Sequence, residues 1–317
     1  MADTVKKATR EAYGEGLVEL AAKYQNLIVL DSDLAAATKT GIFKKAYPDR
    51  FFDCGIAEQN MMSIAAGLAT SGKQVFASSF AMFAAGRAYE QVRNSIGYPH
   101  ISVKIGATHA GISVGEDGAT HQCCEDIALM RSIPGMTVIC PADAVETNKA
   151  MYAVMEHDGP VYLRLGRLAV PVLFDNAYEF KIGKGVQLLN GDDVTIIATG
   201  ILVSAALEAA EILKQDGIGA RVINISTIKP LDKEIVLKAA AETGAIVTAE
   251  EHSIIGGLGS AVCEAVCETQ PVPVVRVGIN DEFGKSGPAL ELLKVYGLTG
   301  DNIASKAKQA IEIKTKA

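Results

Sequence analysis

The sequence predicts an α/β protein with two domains, each built on a mostly parallel sheet flanked by helices. Short runs rich in β-branched residues alternate with longer Ala- and Met-rich stretches, and this alternation occurs twice along the chain. The predicted strands are apolar almost throughout, which is typical of parallel strands that are covered on both faces. At 317 residues, the chain is also longer than one ordinary domain.

The first half of the chain contains the first strand–helix alternation. The predicted strands span residues 27–31, 74–78, 101–105, 136–140 and 161–165. Helices are predicted between them, notably at 58–70 and 143–155. Asp143 is a suitable N-cap, and Glu146 three residues later completes the pattern of a capping box.

The second half repeats the alternation after an irregular stretch. Strands are predicted at 194–198, 220–225, 245–249 and 272–277, and a helix at 203–215. Leu207, Ala210 and Leu213 share one stripe of that helix. We therefore predict a first domain over 1–168, a linker over 169–191 and a second domain over 192–317.

The composition narrows the classes of function. A formal net charge of −7 argues against a nucleic-acid or anionic-membrane surface. The charged N-terminus has no apolar leader core, and no apolar run reaches the ~20 residues of a membrane span. We therefore expect a soluble, cytoplasmic protein. The six cysteines form no CxxC pair, so they predict no zinc site.

Nucleotide-binding motifs are present only in broken form. Residues 67–74 have the glycine spacing of a P-loop but end in Gln74 where a hydroxyl is required, and residues 278–286 carry one residue too many. A Rossmann fingerprint is also missing, which argues against dinucleotide redox chemistry.

Glu58 is the first candidate site residue. Residues 51–60 read FFDCGIAEQN, with Glu58 at the start of an apolar helix. A carboxylate in the first turn is favoured by the helix dipole, so capping alone would explain it. The flanking Ile56, Met61 and Met62 instead predict a desolvated carboxyl group suited to proton transfer.

Two further candidates follow along the chain. In residues 79–93 (SFAMFAAGRAYEQVR), Phe80 and Phe83 are predicted one helical turn apart, a spacing more typical of core than of a cofactor platform. In residues 108–122 (THAGISVGEDGATHQ), His109, Asp117 and His121 lie in a Gly-rich loop after a strand. Such loops carry function in α/β folds, so these three residues are predicted site residues.

The motifs together resemble the transketolase family. They are DSDL (31–34), GIAEQN (55–60), SFAMF to RAYEQVR (79–93), HAGISVGEDGATHQ (109–122), PAD (141–143), LRLGR (163–167), TIKPLD (227–232), EEHSIIGGLGS (250–260) and FGKSG (283–287). The match covers essentially the whole chain and implies a pyrimidine-binding domain followed by the C-terminal domain of transketolases. GIAEQN occurs in several thiamine enzymes, whereas the His109, Asp117 and His121 set is more selective.

The resemblance implies thiamine diphosphate as the cofactor. Glu58 would hydrogen-bond the pyrimidine ring and so promote formation of the reactive thiazolium ylide. Phe80 and Phe83 would pack around the aminopyrimidine, and Asp33 would complete the pocket near a partner domain. A two-carbon ketol unit would then pass from a ketose phosphate (xylulose 5-phosphate) to an aldose phosphate (ribose 5-phosphate or erythrose 4-phosphate), a reaction of the pentose phosphate pathway.

The resemblance also assigns residues to the substrate. His109 and Asp117 would bind its hydroxyl groups, His121 would contact the donor carbonyl and assist proton transfer, and Arg167 would clamp the phosphate. Catalytic roles thus fall to Glu58, His109 and His121. One departure concerns a phosphate-binding serine of the family, because Ala36 and Ala37 stand there; Thr38 or Thr40 would have to replace it.

The motif that binds the diphosphate through Mg²⁺ is missing, since the GEDG at 115–118 has no Asn signature after it. The resemblance therefore implies an N-terminal subunit that carries the diphosphate-binding domain and the Mg²⁺ ligands, with no metal ligands on this chain. We expect two copies of each chain and an active site at their interface.

Three alternatives remain. The β chain of a 2-oxoacid dehydrogenase has the same domain pair but lacks the histidine set, and a deoxyxylulose-phosphate synthase fragment shares RAYEQ-like and DG-THQ-like strings. A non-catalytic scaffold subunit is the alternative of another class. Intact Glu58, His109 and His121 argue against a scaffold, which has no need of them.

Overall fold

The computed structural model describes residues 5–316, which form two large sheets and a two-stranded ribbon. The strands are β1 (Lys6–Ala8), β2 (Leu27–Asp31), β3 (Phe51–Asp53), β4 (Gln74–Phe80), β5 (Val103–Thr108), β6 (Thr137–Ile139), β7 (Val161–Arg164), β8 (Ala169–Pro171), β9 (Val186–Leu189), β10 (Val194–Ala198), β11 (Ala220–Asn224), β12 (Thr227–Lys229), β13 (Ile246–Ser253) and β14 (Val274–Ile279).

Helices cover the sheets and connect their strands. They are α1 (Thr9–Lys23), α2 (Ala35–Thr38), α3 (Thr40–Ala46), α4 (Glu58–Thr70), α5 (Tyr89–Gln91), α6 (Asp126–Ser132), α7 (Ala144–Glu156), α8 (Leu202–Gln215), α9 (Lys233–Thr243), α10 (Leu258–Thr269), α11 (Ala289–Val295) and α12 (Gly300–Lys316). Single turns of 3₁₀ helix lie at Pro48–Arg50 and Ile112–Val114, and π-helical turns at Met82–Arg87 and Val92–Gly97. Across residues 5–316, no helix combines the length and apolar composition that a membrane span needs.

The first sheet has seven strands in the order β12-β6-β7-β5-β4-β2-β3. All neighbours are parallel except β12, which runs antiparallel to β6. Its apolar side chains are covered on both faces, by α4 and α6 on one side and by α1 and α7 on the other. The predicted parallel α/β architecture is therefore confirmed.

The second sheet has five strands in the order β14-β13-β10-β11-β9, again parallel except for one edge strand, β9. Helices α8 and α12 cover one face, and α9 and α10 cover the other. The stretch 169–191, predicted as a linker, contains β8, which pairs with β1, and β9. The domain bounds at 168 and 192 remain a prediction.

Hydrogen bonds at the start of α7 connect the two halves of the chain. The Asp143 side chain accepts the N–H of Glu146 at 2.8 Å, so the predicted N-cap is confirmed. The Glu146 carboxylate, however, accepts from Ala142 N–H at 2.7 Å instead of closing back onto Asp143. Its other oxygen receives the Tyr178 hydroxyl and the Asn224 amide, at 2.7 and 2.8 Å. This buried carboxylate therefore ties the linker and β11 to the first sheet.

Candidate active site

The predicted site residues lie at one edge of the first sheet. Asp33 follows β2, Phe80 ends β4, His109 follows β5 and Arg167 follows β7. Glu58, which opens α4 after β3, joins them. Because these strands are parallel, their carboxyl ends meet at the same edge, where ligands of open α/β sheets bind.

Glu58 is buried, with only 1% of its side chain exposed. One carboxylate oxygen, Oε2, accepts a hydrogen bond from Arg87 Nη1 at 2.9 Å, and Oε1 lies 3.5 Å from the Ser79 hydroxyl. The flanking sequence predicted wholly apolar surroundings for this carboxyl group. The structure instead places a cation, Arg87, beside it. Arg87 is 46% exposed, so its side chain has room to leave the carboxylate.

Phe80 and Phe83 form a stacked pair, with ring centroids 5.9 Å apart and planes 13° from parallel. The prediction that one helical turn separates them is wrong, because Phe80 ends β4 and Phe83 lies in the π-helical turn Met82–Arg87. Such turns widen a helix by one residue and are frequent at functional sites. The Arg87 guanidinium lies over the Phe83 ring, 4.5 Å from its centroid.

His109 stacks on Phe80, one ring of this aromatic pair. Its ring centroid lies 3.8 Å from that of Phe80, and its backbone has a positive φ of 56°. Because a guanidinium can only donate, Arg10 Nη1 donates to His109 Nε2 at 3.1 Å. The ring proton is then on Nδ1, which donates to the Thr108 hydroxyl at 2.9 Å.

The charge state of His109 follows from its surroundings. Burial, reinforced by the positive charges of Arg10 and Arg167, lowers the pKa of His109 to about 3. The imidazole is therefore neutral at physiological pH. It can orient a hydroxyl group by hydrogen bonding, but it does not act as a cation.

Arg10 is a site residue that the sequence did not indicate. It is the second residue of α1, and its hydrogen-bond partner His109 lies 99 positions further along the chain. Its Nη1 also donates to Ala37 O at 2.8 Å, and the pKa of Arg10 is lowered by its burial and by the nearby Arg167. Two guanidinium groups thus face the same region, an arrangement suited to an anionic group.

Arg167 is held by the loop that it adjoins. Its Nη1 donates to Val114 O and to the Glu116 carboxylate, the latter at 2.9 Å. The Arg167 side chain is 38% exposed. The guanidinium can therefore exchange an exposed carboxylate for an incoming anion without breaking a buried ion pair.

The remaining predicted residues divide into two groups. His121 joins the cluster, with its ring edge-on to Phe83 at 5.3 Å between centroids. The side chains of Asp33 and Asp117 are exposed. The Asp33 backbone has a positive φ of 60° and is fixed by its N–H bond to Asp53, at 3.0 Å.

Neither Thr38 nor Thr40 is free to replace the missing serine. Both side chains are fully buried, and their hydroxyls donate to Asp31 Oδ2 at 2.7 and 2.8 Å. Burial raises the pKa of the Asp31 carboxyl to about 6, against the opposing effect of these hydrogen bonds. The suggested substitution is therefore not supported, and the two hydroxyls instead order the turn after β2.

A cleft of about 570 Å³ adjoins the aromatic pair. Phe83, Arg87 and Thr120 line it from the first half, and Ser253 and Phe283 from the second. The site therefore borders both sheets, and part of its wall comes from the second half of the chain.

The donor set fits an aminopyrimidine better than a metal ion. A buried carboxylate beside stacked aromatic rings offers a hydrogen-bond acceptor and a π-face, which a heteroaromatic ring with N–H groups requires. Within residues 5–316, no three His, Cys, Asp or Glu side chains lie close enough together to hold a metal.

Family models match both halves of the chain. The model described as transketolase, pyrimidine binding domain, matches residues 5–172, and the transketolase C-terminal domain model matches residues 183–303. The chain belongs to the transketolase family. The resemblance carried by the sequence motifs is thereby confirmed.

Two relatives and one solved structure match this chain along nearly their whole length. A Methanocaldococcus jannaschii protein, provisionally named a transketolase C-terminal section, is 53% identical over 97% of this chain and 98% of its own. A 6-deoxy-6-sulfo-D-fructose transketolase subunit of Clostridium sp. strain MSTE9 is 45% identical over 96% and 95%. A solved structure described as a split-gene transketolase, inactive β4 tetramer, has a TM-score of 0.91 and 53% identity over 97% of this chain and 99% of that one.

Proposed function

We propose that this chain is the C-terminal catalytic subunit of a split transketolase. It transfers a two-carbon ketol unit from a ketose phosphate, such as xylulose 5-phosphate, to an aldose phosphate, such as ribose 5-phosphate or erythrose 4-phosphate. The observation that carries the proposal is the buried Glu58 beside the stacked Phe80 and Phe83, with His109 and His121 against the same two rings.

Thiamine diphosphate is the proposed cofactor, held by Glu58, Phe80 and Phe83, with Asp33 at the rim. When bound, it supplies a nucleophilic carbon that takes up the ketol unit. Glu58 Oε2 is the atom that would hold a proton towards a ring nitrogen. In this structure Arg87 Nη1 already occupies Oε2, at 2.9 Å. Arg87 therefore has to leave Oε2 when the ring binds.

The substrate would lie between the histidines and the arginines. Neutral His109 orients a hydroxyl group, His121 holds a proton near the donor carbonyl, and Asp117 binds a further hydroxyl from its exposed position. Arg167 binds the terminal anion, as proposed from the sequence, and Arg10 lies close enough to His109, at 3.1 Å, to share that task.

A partner chain with the diphosphate-binding domain and the Mg²⁺ ligands completes the proposed site, in an assembly of two copies of each chain. Two observations support this. The described residues have no metal-binding cluster, and the split-gene relative with a TM-score of 0.91 is described as inactive in its β4 form.

A sulfonated sugar is the second candidate substrate. The Clostridium relative is named for 6-deoxy-6-sulfo-D-fructose, and a pair of guanidinium groups binds a sulfonate as well as a phosphate, since both present several anionic oxygens. The two candidates differ only in the terminal group of the sugar and leave the transfer step unchanged.

The test is ketol transfer by the tagged chain purified natively with its accompanying proteins. Thiamine diphosphate and Mg²⁺ are supplied, and the chain stripped of partners serves as the control. We expect activity only in the co-purified sample, with phosphorylated and sulfonated donors compared side by side. Activity of the stripped chain would refute the need for a partner. Inactivity of a co-purified pair with both donors would refute ketol transfer and favour a 2-oxoacid, a deoxyxylulose-phosphate reaction or a scaffold.

A further inference from the structure

The loop that carries the site histidines rests on the second half of the chain. We call residues 109–122 the substrate loop. Its ends are joined within the first half, where Gly111 N–H donates to Cys123 O at 2.9 Å. Its middle, from Gly111 to Gly118, instead packs against β13 and against residues 284–287.

Glu251 is the main contact on β13. Its side chain is 3% exposed, and its Oε1 accepts the backbone N–H of Ser113 from the 3₁₀ turn of the loop. Gly111, at a φ of +82°, lies so close that a Cβ there would overlap the Glu251 carboxyl carbon. The loop backbone is therefore seated directly on this carboxyl group, with no room between them for a side chain.

A second contact secures the far end of the loop. Gln122 Nε2 lies within hydrogen-bonding distance of three backbone oxygens, on Ile112, Gly115 and Lys285, at 3.2, 3.1 and 2.9 Å. The first two belong to the loop itself and the third to the second half. One buried amide thus closes the loop upon itself and fixes it to the segment after β14.

The neighbouring Glu250 provides an internal comparison. It lies on the same strand, is equally buried, and also accepts backbone N–H groups. Its donors, however, are Leu258 and Gly259 at the start of α10, at 2.7 and 2.8 Å, within the second half. The two carboxyl groups are alike in burial and chemistry but support different structures.

We propose that Glu251 is a positioning residue that sets the substrate loop, and through it His121, Asp117 and the anion-binding Arg167, in the geometry needed for transfer. Arg167 is included because it donates to Val114 O within the loop. The inference rests on the proposed function for its catalytic meaning. It gives the second half of the chain a role at the site itself, since that half supplies the surface on which the loop is placed.

The first experiment needs no activity. Hydrogen exchange of the full chain is compared for the wild type, Glu251→Gln, Glu251→Met and Glu250→Met. Glutamine keeps an acceptor oxygen for Ser113, whereas methionine of similar length removes it. We expect amides 111–118 to exchange about tenfold faster in Glu251→Met, as for the loss of one buried hydrogen bond, and near the wild-type rate in Glu251→Gln. Glu250→Met should instead affect amides 258–259.

The second experiment uses the complex with the partner chain. Glu251→Met should lower kcat/KM about ten- to hundredfold, mainly through KM, because loop residues displaced by about 1 Å bind the sugar poorly. Glu251→Gln should restore most of it. Glu250→Met should lower the thermal unfolding midpoint about as much as Glu251→Met does, but it should leave KM unchanged. If Glu251→Met also left KM unchanged, the role of Glu251 would be purely structural.

The outcomes separate the two proposals. Unchanged exchange of amides 111–118 in Glu251→Met overturns the positioning role, whatever the enzyme's reaction. Altered exchange with no ketol transfer by the wild type retains the loop contact and refutes the proposed function. If Glu251→Met does not fold, Gln122→Met removes the second contact from the loop side. Equal KM values for that variant and the wild type would then overturn the inference.

Discussion

The two sheets of this chain use the same edge for different purposes. At the carboxyl ends of the first sheet lie the buried Phe80 and His109, and Arg167, whose ion pair with Glu116 is partly exposed. At the carboxyl ends of the second, Thr199 donates to Cys140 O at 3.2 Å and Asn224 to Glu146 at 2.8 Å. The first edge is open towards a cleft. The second edge is covered by the first half of the chain at β10 and β11, while β13 and β14 reach the cleft at Ser253 and Ile279.

The difference refines the rule that ligands bind at the carboxyl ends of parallel strands. The rule identifies the edge where polar groups converge. In the second sheet, however, Thr199 and Asn224 at this edge are hydrogen-bonded to the first half of the chain. Polar groups paired in this way contribute stability and orientation, whereas polar groups without such a protein partner are available for chemistry. The comparison predicts that substitutions at the open edge change kinetics and that those at the covered edge change stability.

The largest expected effect is at Glu58. Glu58→Gln should lower kcat of the assembled enzyme by about 10²–10⁴-fold, since an amide cannot exchange a proton with the cofactor ring. Its unfolding midpoint in urea should stay near that of the wild type. Glu146→Gln is the matched control at the covered edge, because its amide nitrogen would face donors. It should cost about 1–3 kcal/mol of unfolding free energy and leave KM unchanged. Equal kinetic losses in both variants would contradict the comparison.

An intermediate effect is expected at Arg10. Arg10→Met should raise KM for phosphorylated substrates about tenfold to a hundredfold, the usual contribution of a charge-assisted hydrogen bond. It also removes a positive charge that lowers the pKa of His109, so this pKa should rise and be detectable by NMR titration. The exposed Arg93 provides a control as Arg93→Met. A KM that is the same for both variants would place the anion elsewhere.

The smallest expected effect is a change in pH dependence at Glu250. Burial raises the pKa of the Glu250 carboxyl from 4.5 to about 7. The folded state therefore binds this proton more tightly than the unfolded state, and the resulting stabilisation is lost as pH rises from about 4.5 to about 7. Relative to Glu250→Gln, the wild type should lose unfolding free energy between pH 5 and 8. Urea titrations across that range measure this, and parallel pH curves for the two proteins would exclude it.

Much of the fold was predictable because its central strands are long apolar runs. The strands at 27–31 and 194–198 have the predicted bounds, and α4 begins and ends as expected. The edge strands β8, β9 and β12 were missed, since they are three or four residues long and pair with distant segments. Nothing in so short a run distinguishes an edge strand from a loop.

The site was predictable only where a motif carried it. Glu58, Phe80, Phe83, His109 and His121 were found together, but the Arg87–Glu58 pair and the Arg10–His109 contact were not. Both contacts join segments separated by 29 and 99 positions, and an arginine on a helix has many possible partners. The spacing of Phe80 and Phe83 was misread for a local reason, the π-helical turn that follows β4.

The position of the edge strand β12 limits how the two halves of this chain could be exchanged with those of other proteins. It belongs to the second half in sequence but completes the first sheet beside β6. During synthesis, β12 follows the start of β6 by about 90 residues. Until β12 has been made, one edge of β6 has unpaired backbone N–H and C=O groups, and such an exposed strand edge favours aggregation. A gene fusion that exchanged everything after the linker would therefore replace an outer strand of the first sheet, so the two halves are not interchangeable modules.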